Sequence, residues 1–230
     1  MKVGGGTGVD ASNTTGWPID SIVNALWYVN GVLLTRPERE VGRIVAVNIS
    51  ANGRSVAGDL PCGPNSEGAR IDAVAAVLRS KGVAVVMAAG NGTDDKTGIN
   101  GTGTWTCGNN VIPVGATGIL HPSVPTVYTN ISPRVALFAP VGVGDFNTHD
   151  YVLAPFAGSG SMSLYGTSFA APQVAAAFAV LHQKFGPNVG VSSLLGLMQR
   201  TGTKLTGTGA ALASPAASVL NIGAALRGTL

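Results

Sequence analysis

Tyr165-Gly166-Thr167-Ser168-Phe169-Ala170-Ala171-Pro172-Gln173 sets a hydroxyl group at the mouth of a helix. Gly166 lets the backbone turn tightly, and the run from Ala170 to Leu181 is almost wholly apolar, as in a helix buried on all sides. Ser168 then falls in the first turn, where backbone N–H groups lack intrahelical partners and favour an anion placed ahead of them. Pro172 is tolerated if it lies in or next to that first turn, where its missing N–H costs little. Taken alone, the stretch also describes a Ser-Thr cap in front of an ordinary core helix.

A second segment bears on the choice. Val83-Ala84-Val85-Val86-Met87-Ala88-Ala89-Gly90-Asn91-Gly92 reads as a fully buried strand ending in a glycine-flanked asparagine. An amide at the carboxyl end of such a strand can donate a hydrogen bond into a crevice. The plainer alternative for Asn91 is a turn residue in a left-handed conformation.

Together the two segments closely resemble the subtilisin-like serine proteases. The family's serine motif, Gly-Thr-Ser-x-Ala-Ala-Pro, is matched at Gly166 to Pro172, and its Ala-Ala-Gly-Asn motif at Ala88 to Asn91. Val45 to Ser50, Val111 to Ala116, Tyr128-Thr129-Asn130 and Val135 to Pro140 are similar to further family segments, so the likeness runs from about Ile22 to Leu226. The resemblance implies an α/β fold, a doubly wound, mostly parallel sheet with helices on both faces, filling residues 1–230 as one peptidase domain. It implies a serine endopeptidase working through an acyl-enzyme, with Ser168 as nucleophile and Asn91 as oxyanion donor. Ser50, Ala51, Asn52 and Gly53 correspond to the edge that pairs with an extended polypeptide substrate. The family usually has Ser-Leu-Gly there, so Ala51 and Asn52 depart from the pattern. Cys62 and Cys107 stand where secreted relatives carry a disulfide; free thiols are the alternative in a reducing compartment. The resemblance places the protein outside the cell. Calcium is frequent in the family, but no carboxylate cluster maps onto its sites, and Asp94-Asp95 reads as a solvated loop pair.

The family's activating histidine sits in a His-Gly-Thr motif and its orienting aspartate in Asp-Thr-Gly or Asp-Ser-Gly, both ahead of the oxyanion asparagine. Neither motif occurs here: the chain opens at Met1-Lys2-Val3-Gly4 where relatives are past the histidine. The expectation is a domain missing its N-terminal portion. His182 follows Ser168 by 14 residues on the same predicted helix, roughly 21 Å along its axis and out of reach. His121 precedes Pro122 in a turn, and His149 with Asp150 lies in the long loop before the serine motif. Loss of the histidine costs about 10⁶ in turnover, a magnitude measured on subtilisin itself. The isolated chain is therefore expected to be nearly inert. The alternatives are a non-catalytic relative that binds peptides or a partner, and one part of a split enzyme.

Composition narrows the field. Charged residues are only 11% of the chain and the net charge is +3, with Arg36, Arg39, Arg43, Arg79, Lys81, Arg200 and Lys204 scattered. No nucleic-acid-binding stripe results. No apolar run approaches the ~20 residues of a membrane span, and Lys2 is followed by glycines in place of a signal-peptide core. Gly4 to Gly8 lacks the strand, helix and Lys-Ser context of a phosphate loop and reads as a turn. Sequons begin at Asn13, Asn48, Asn91, Asn100 and Asn130, several on predicted strands or in the candidate site, which argues against most as glycan acceptors. Helices are predicted over 19–33, 69–81 and 192–199, and strands over 44–49, 83–88, 111–115 and 135–140, an alternation suited to a doubly wound sheet.

Overall fold

The protein is described by a computed structural model covering residues 19–92, 97–145, 147–156 and 160–230. The glycine run Gly4 to Gly8, the sequon at Asn13 and the Asp94-Asp95 pair lie outside these residues. Helix α1 (Ile19–Gly31) buries Ile22, Val23 and Leu26 on one stripe, and a short helix α2 (Glu38–Val41) leads to strand β1 (Ala46–Ile49). Helix α3 (Glu67–Ser80) starts where the Ser66 hydroxyl accepts the Ala69 N–H at 3.2 Å, a serine N-cap. Strands β2 (Ala84–Ala88), β3 (Val111–Thr117) and β4 (Leu137–Pro140) follow. After a hairpin of β5 (Val152–Phe156) and β6 (Gly160–Leu164) come α4 (Thr167–Phe185) and α5 (Val191–Thr201). Strands β7 (Thr203–Lys204) and β8 (Ser218–Val219) and helix α6 (Ile222–Arg227) close the order.

The main sheet runs β1-β2-β3-β4-β8-β7, parallel throughout except for β7 against β8. Its register sets Ala46 opposite Ala84, Val85 opposite Val111 and Val114 opposite Leu137. The near-continuous apolar run of β2 is explained by its two faces. Val83, Val85 and Met87 pack into one core with α1 and α3, while Ala84 and Val86 pack into a second core with α4. Every residue of β2 and β3 is buried, as expected of central parallel strands covered on both sides. An ion pair between Arg70 and Asp20 joins α3 to α1 at the surface.

The β5–β6 hairpin corrects the reading of a long loop before the serine motif. Its antiparallel register pairs Val152 with Leu164. Leu153 is 66% exposed and Met162 44%, so neither strand carries the buried alternation that reveals a strand in sequence, and Pro155 and two serines lower its β-propensity further.

Cys62 and Cys107 form a disulfide, with 45 residues of separation. The second cysteine follows a 3₁₀ turn (Thr104–Thr106) pinned to α3, where the Trp105 indole donates to Glu67 at 2.7 Å. The Asp72 carboxylate also receives the Asn110 N–H at 2.7 Å and its amide at 2.8 Å. The chain that leads from β2, and carries Asn91, is thereby fixed to α3 where it enters β3.

Candidate active site

The carboxyl ends of β1 and β2 and the amino end of α4 converge. Gly166 caps α4 with φ 121°, a conformation that L side chains rarely adopt. Thr167 is the first helical residue and Ser168 the second. Asn91 stands just beyond β2, and its side-chain oxygen accepts both the Thr167 N–H and the Thr167 hydroxyl, each at 2.8 Å. The Thr167 oxygen in turn accepts the Gly90 N–H at 3.2 Å. Because the carbonyl end of the amide is held by two donors, its orientation is settled and Nδ2 is the end left to face outward, beside Gly166. Asn91 itself is exposed and Ser168 partly buried, so both are open to a ligand.

Two buried polar residues hold these parts, and sequence reading gave neither a role. Asn130 is wholly buried and donates to the Ser55 hydroxyl at 2.8 Å and to the Ala89 carbonyl at 3.2 Å. Its oxygen accepts the N–H groups of Gly92 at 2.8 Å and Ile99 at 3.3 Å. The hydrogen-bonding capacity of this amide is filled, with three bonds to the loop that carries Asn91 and one to Ser55. Gly90, at φ 111°, has no β-carbon where one would collide with the Asn130 amide. Tyr128 works from the other side: its hydroxyl donates to the Gly142 carbonyl at 2.7 Å and accepts the Gly166 N–H at 3.1 Å. Burial pushes its pKa up to about 12. The only signal in sequence was the Tyr128-Thr129-Asn130 turn.

Pro172 lies in the second turn of α4, as its sixth residue, directly after the first. Its missing N–H is not among the amides orphaned at a helix start, because the helix begins at Thr167 and that N–H would face the Ser168 carbonyl.

The segment Ser50 to Gly53 does lie beside Ser168. The Ser50 hydroxyl donates to the Ser168 carbonyl at 2.7 Å, and the Ser168 hydroxyl donates to the Ser50 carbonyl at 3.1 Å. Asn52 points inward: Nδ2 donates to the Ala88 carbonyl at 2.7 Å and the Thr106 hydroxyl at 3.2 Å, while Oδ1 accepts the N–H groups of Gly53 at 2.8 Å and Trp105 at 3.2 Å. Its side chain braces the end of β2 against the 3₁₀ turn. What the segment offers to a ligand is backbone, together with Ala51 and Gly53.

Among the described residues, no hydrogen bond joins Ser168 to a histidine. His182 is 6% exposed, and burial lowers its pKa. His121 is exposed and its carbonyl closes a turn to the Val124 N–H at 2.9 Å. His149 holds a left-handed φ of 60° and lies beside the Tyr151 ring. The neighbouring Asp150 carboxylate is taken by the N–H groups of Ile119 at 2.7 Å and Leu120 at 3.4 Å. Nor is there, among the described residues, a group of three or more His, Cys, Asp or Glu side chains that could hold a metal ion.

The sequence profile of the subtilase family matches residues 15–214. No curated protein sequence matches the chain. Solved structures do. A protease from Pseudoalteromonas arctica PAMC 21717 is similar with a TM-score of 0.66 at 23% identity, over 93% of this chain and 59% of that one. A lanthipeptide protease is similar with a TM-score of 0.67 at 18% identity, over 95% of this chain and 68% of the other. A cold-adapted subtilisin-like serine proteinase gives 0.59 at 19% identity, over 85% of this chain and 60% of the other. At these identities the likeness is one of fold, and it bears out the mostly parallel α/β architecture expected from sequence. The chain spans about three fifths of the first and third of these proteins.

Proposed function

The chain belongs to the subtilase family, and from that membership we propose that Ser168 is the nucleophile of a serine endopeptidase. Its oxygen attacks the carbonyl carbon of a peptide bond while its proton passes to a general base. The oxyanion is held by Asn91 Nδ2 and the Ser168 N–H. Collapse breaks the C–N bond, the leaving amine takes the proton, and water then hydrolyses the acyl-enzyme. The extended polypeptide lies along the backbone of Ser50 to Gly53. The base and its orienting carboxylate come from outside the described residues, from an N-terminal portion of the same domain. The observation that carries this reading is the Asn91 amide, locked by Thr167 so that its N–H₂ end is free next to the helix opening at Ser168. The Cys62–Cys107 bridge supports an extracellular location, because disulfides persist in oxidising compartments.

The test is labelling by a fluorophosphonate, together with hydrolysis of an unfolded protein substrate. A preparation that includes the Asp and His motifs labels at Ser168 and cleaves, and Ser168→Ala abolishes both. The 230-residue chain by itself is slower by about 10⁶. Cleavage that survives Ser168→Ala sinks the proposal, as does a preparation with both motifs that neither labels nor cleaves.

A second reading, a peptide-binding relative that does not cut, draws on the Ser168 hydroxyl, which donates to a backbone carbonyl and not to a base. It requires that the chain bind an extended peptide equally well after Ser168→Ala.

A further inference from the structure

Pro172 stands four residues after Ser168 in α4. It is therefore the residue whose N–H would close the helical hydrogen bond to the Ser168 carbonyl. Proline has no N–H, and its ring crowds that same carbonyl. The vacated acceptor is taken from another element. Ser50 Oγ donates to the Ser168 carbonyl at 2.7 Å, and Asn48 Nδ2 donates to Ser50 Oγ at 2.9 Å. The Ser50 carbonyl simultaneously accepts the Ser168 hydroxyl at 3.1 Å. One residue at the end of β1 thus grips Ser168 by its carbonyl and by its hydroxyl.

We propose that Ser50 is a positioning residue for Ser168, its hydroxyl replacing the helical donor that Pro172 removes and so holding the first turn of α4 against the end of β1. The inference rests on the reading of Ser168 as a nucleophile. It separates two functions of Ser50. The carbonyl contact is a resting one, which the Ser168 hydroxyl leaves when a base takes its proton. The hydroxyl contact persists, and keeps the Ser168 N–H, one of the two proposed oxyanion donors, aimed at the crevice. Proline at this position makes the geometry of the first turn depend on β1, the strand that also presents the proposed substrate edge.

The test uses Ser168→Cys in the 230-residue chain. Its thiol is the only free one, because the two native cysteines are paired. Alkylation by iodoacetamide across pH reports the thiol pKa, which first-turn N–H groups lower, and needs no histidine. Adding Ser50→Ala raises the apparent pKa and slows alkylation at pH 7 about three- to tenfold, half to one pK unit. Ser50→Thr retains the parent profile. With Pro172→Ala present, the helix supplies its own donor to the carbonyl, and Ser50→Ala changes the rate less than twofold. A Ser50→Ala profile that overlays the parent overturns the proposal, as does an equal slowing in the Pro172→Ala background. If Ser50→Ala fails to fold alone, the proposal requires Pro172→Ala to rescue it, and a double variant that stays unfolded overturns it. None of these outcomes depends on peptide hydrolysis, so the fluorophosphonate test can fail while this one succeeds, and the reverse.

Discussion

Replacing Tyr128 with phenylalanine removes one oxygen and strands two groups. The Gly142 carbonyl loses its donor at 2.7 Å and the Gly166 N–H its acceptor at 3.1 Å, and both residues are buried. The ring stays, so no cavity term enters. An unpaired buried backbone group costs about 1–3 kcal/mol, which puts Tyr128→Phe at about 2–4 kcal/mol less stable once partial relaxation is allowed. With a urea slope of about 3 kcal/mol/M, the midpoint falls by about 1 M and the slope is unchanged. The pH dependence gives a second, independent reading. Tyr128 has its pKa raised from 10.0 to about 12, chiefly by burial. Stability from a group raised in the folded state is fully present below the unfolded pKa and is lost as pH climbs through the folded one. Two pK units correspond to about 2.7 kcal/mol, lost between pH 10 and 12. Phenylalanine cannot ionise, so the stability gap between the two proteins closes over that window. Urea titrations at pH 8, 10 and 11.5 measure it. A variant within 0.5 kcal/mol of the parent at pH 8 refutes the pinning argument, and a gap that stays constant to pH 11.5 refutes the electrostatic one.

Four further outcomes are expected. Asn52→Ala strips the donors and acceptors that join β2 to the 3₁₀ turn and costs about 2–4 kcal/mol, read by chemical denaturation; a loss confined to peptide affinity would contradict the bracing role. Asn91→Ala, in a preparation that hydrolyses peptides, lowers kcat by about 10²–10³ with KM little changed if it holds the oxyanion as proposed, the magnitude known for an asparagine donor in subtilisin; a change in KM alone would overturn that role. Replacing Cys62 and Cys107 with serines opens a loop of 45 residues and costs about 4 kcal/mol in the chain-entropy account, measured as a shift of the urea midpoint. His182→Leu relieves acid sensitivity. Burial lowers the pKa of His182, so the unfolded chain binds the proton more readily and stability falls as pH drops through the unfolded histidine value near 6.5. The leucine variant loses that slope, and an unchanged slope between pH 7 and 5 counts against it.

The elements legible in sequence are those whose chemistry is local. The α1 and α3 stripes, the two-faced β2 and the Gly-Thr-Ser opening of α4 each carry their own periodicity or motif, and the structure places them within a few residues of the expected bounds. The ends shift where caps and apolar runs disagree: α3 starts at Glu67 behind its Ser66 cap, ahead of the stripe that begins at Ala69. Supporting polar contacts were invisible because their partners lie far apart in the chain. Asn130 reaches Ser55 across 75 positions and Tyr128 reaches Gly166 across 38, and no spacing rule links such pairs. Asn52 belongs to a segment expected from the resemblance to pair with substrate, yet its amide satisfies the Ala88 carbonyl and the Gly53 and Trp105 N–H groups. The β5–β6 hairpin was missed for the opposite reason, since exposed strands carry no pattern of burial to detect.

The bridge between Cys62 and Cys107 ties a ring of chain that contains α3, β2 and Asn91. Surface loops are where proteolytic nicks fall. One scission anywhere between the two cysteines converts the chain into two polypeptides that remain a single covalent molecule. Asn91 and Ser168 remain in one covalent molecule, and neither piece can diffuse away while the sulfurs are oxidised. Such a nicked form migrates intact in a non-reducing gel and separates only after thiol treatment. Scission outside the ring has no such tether.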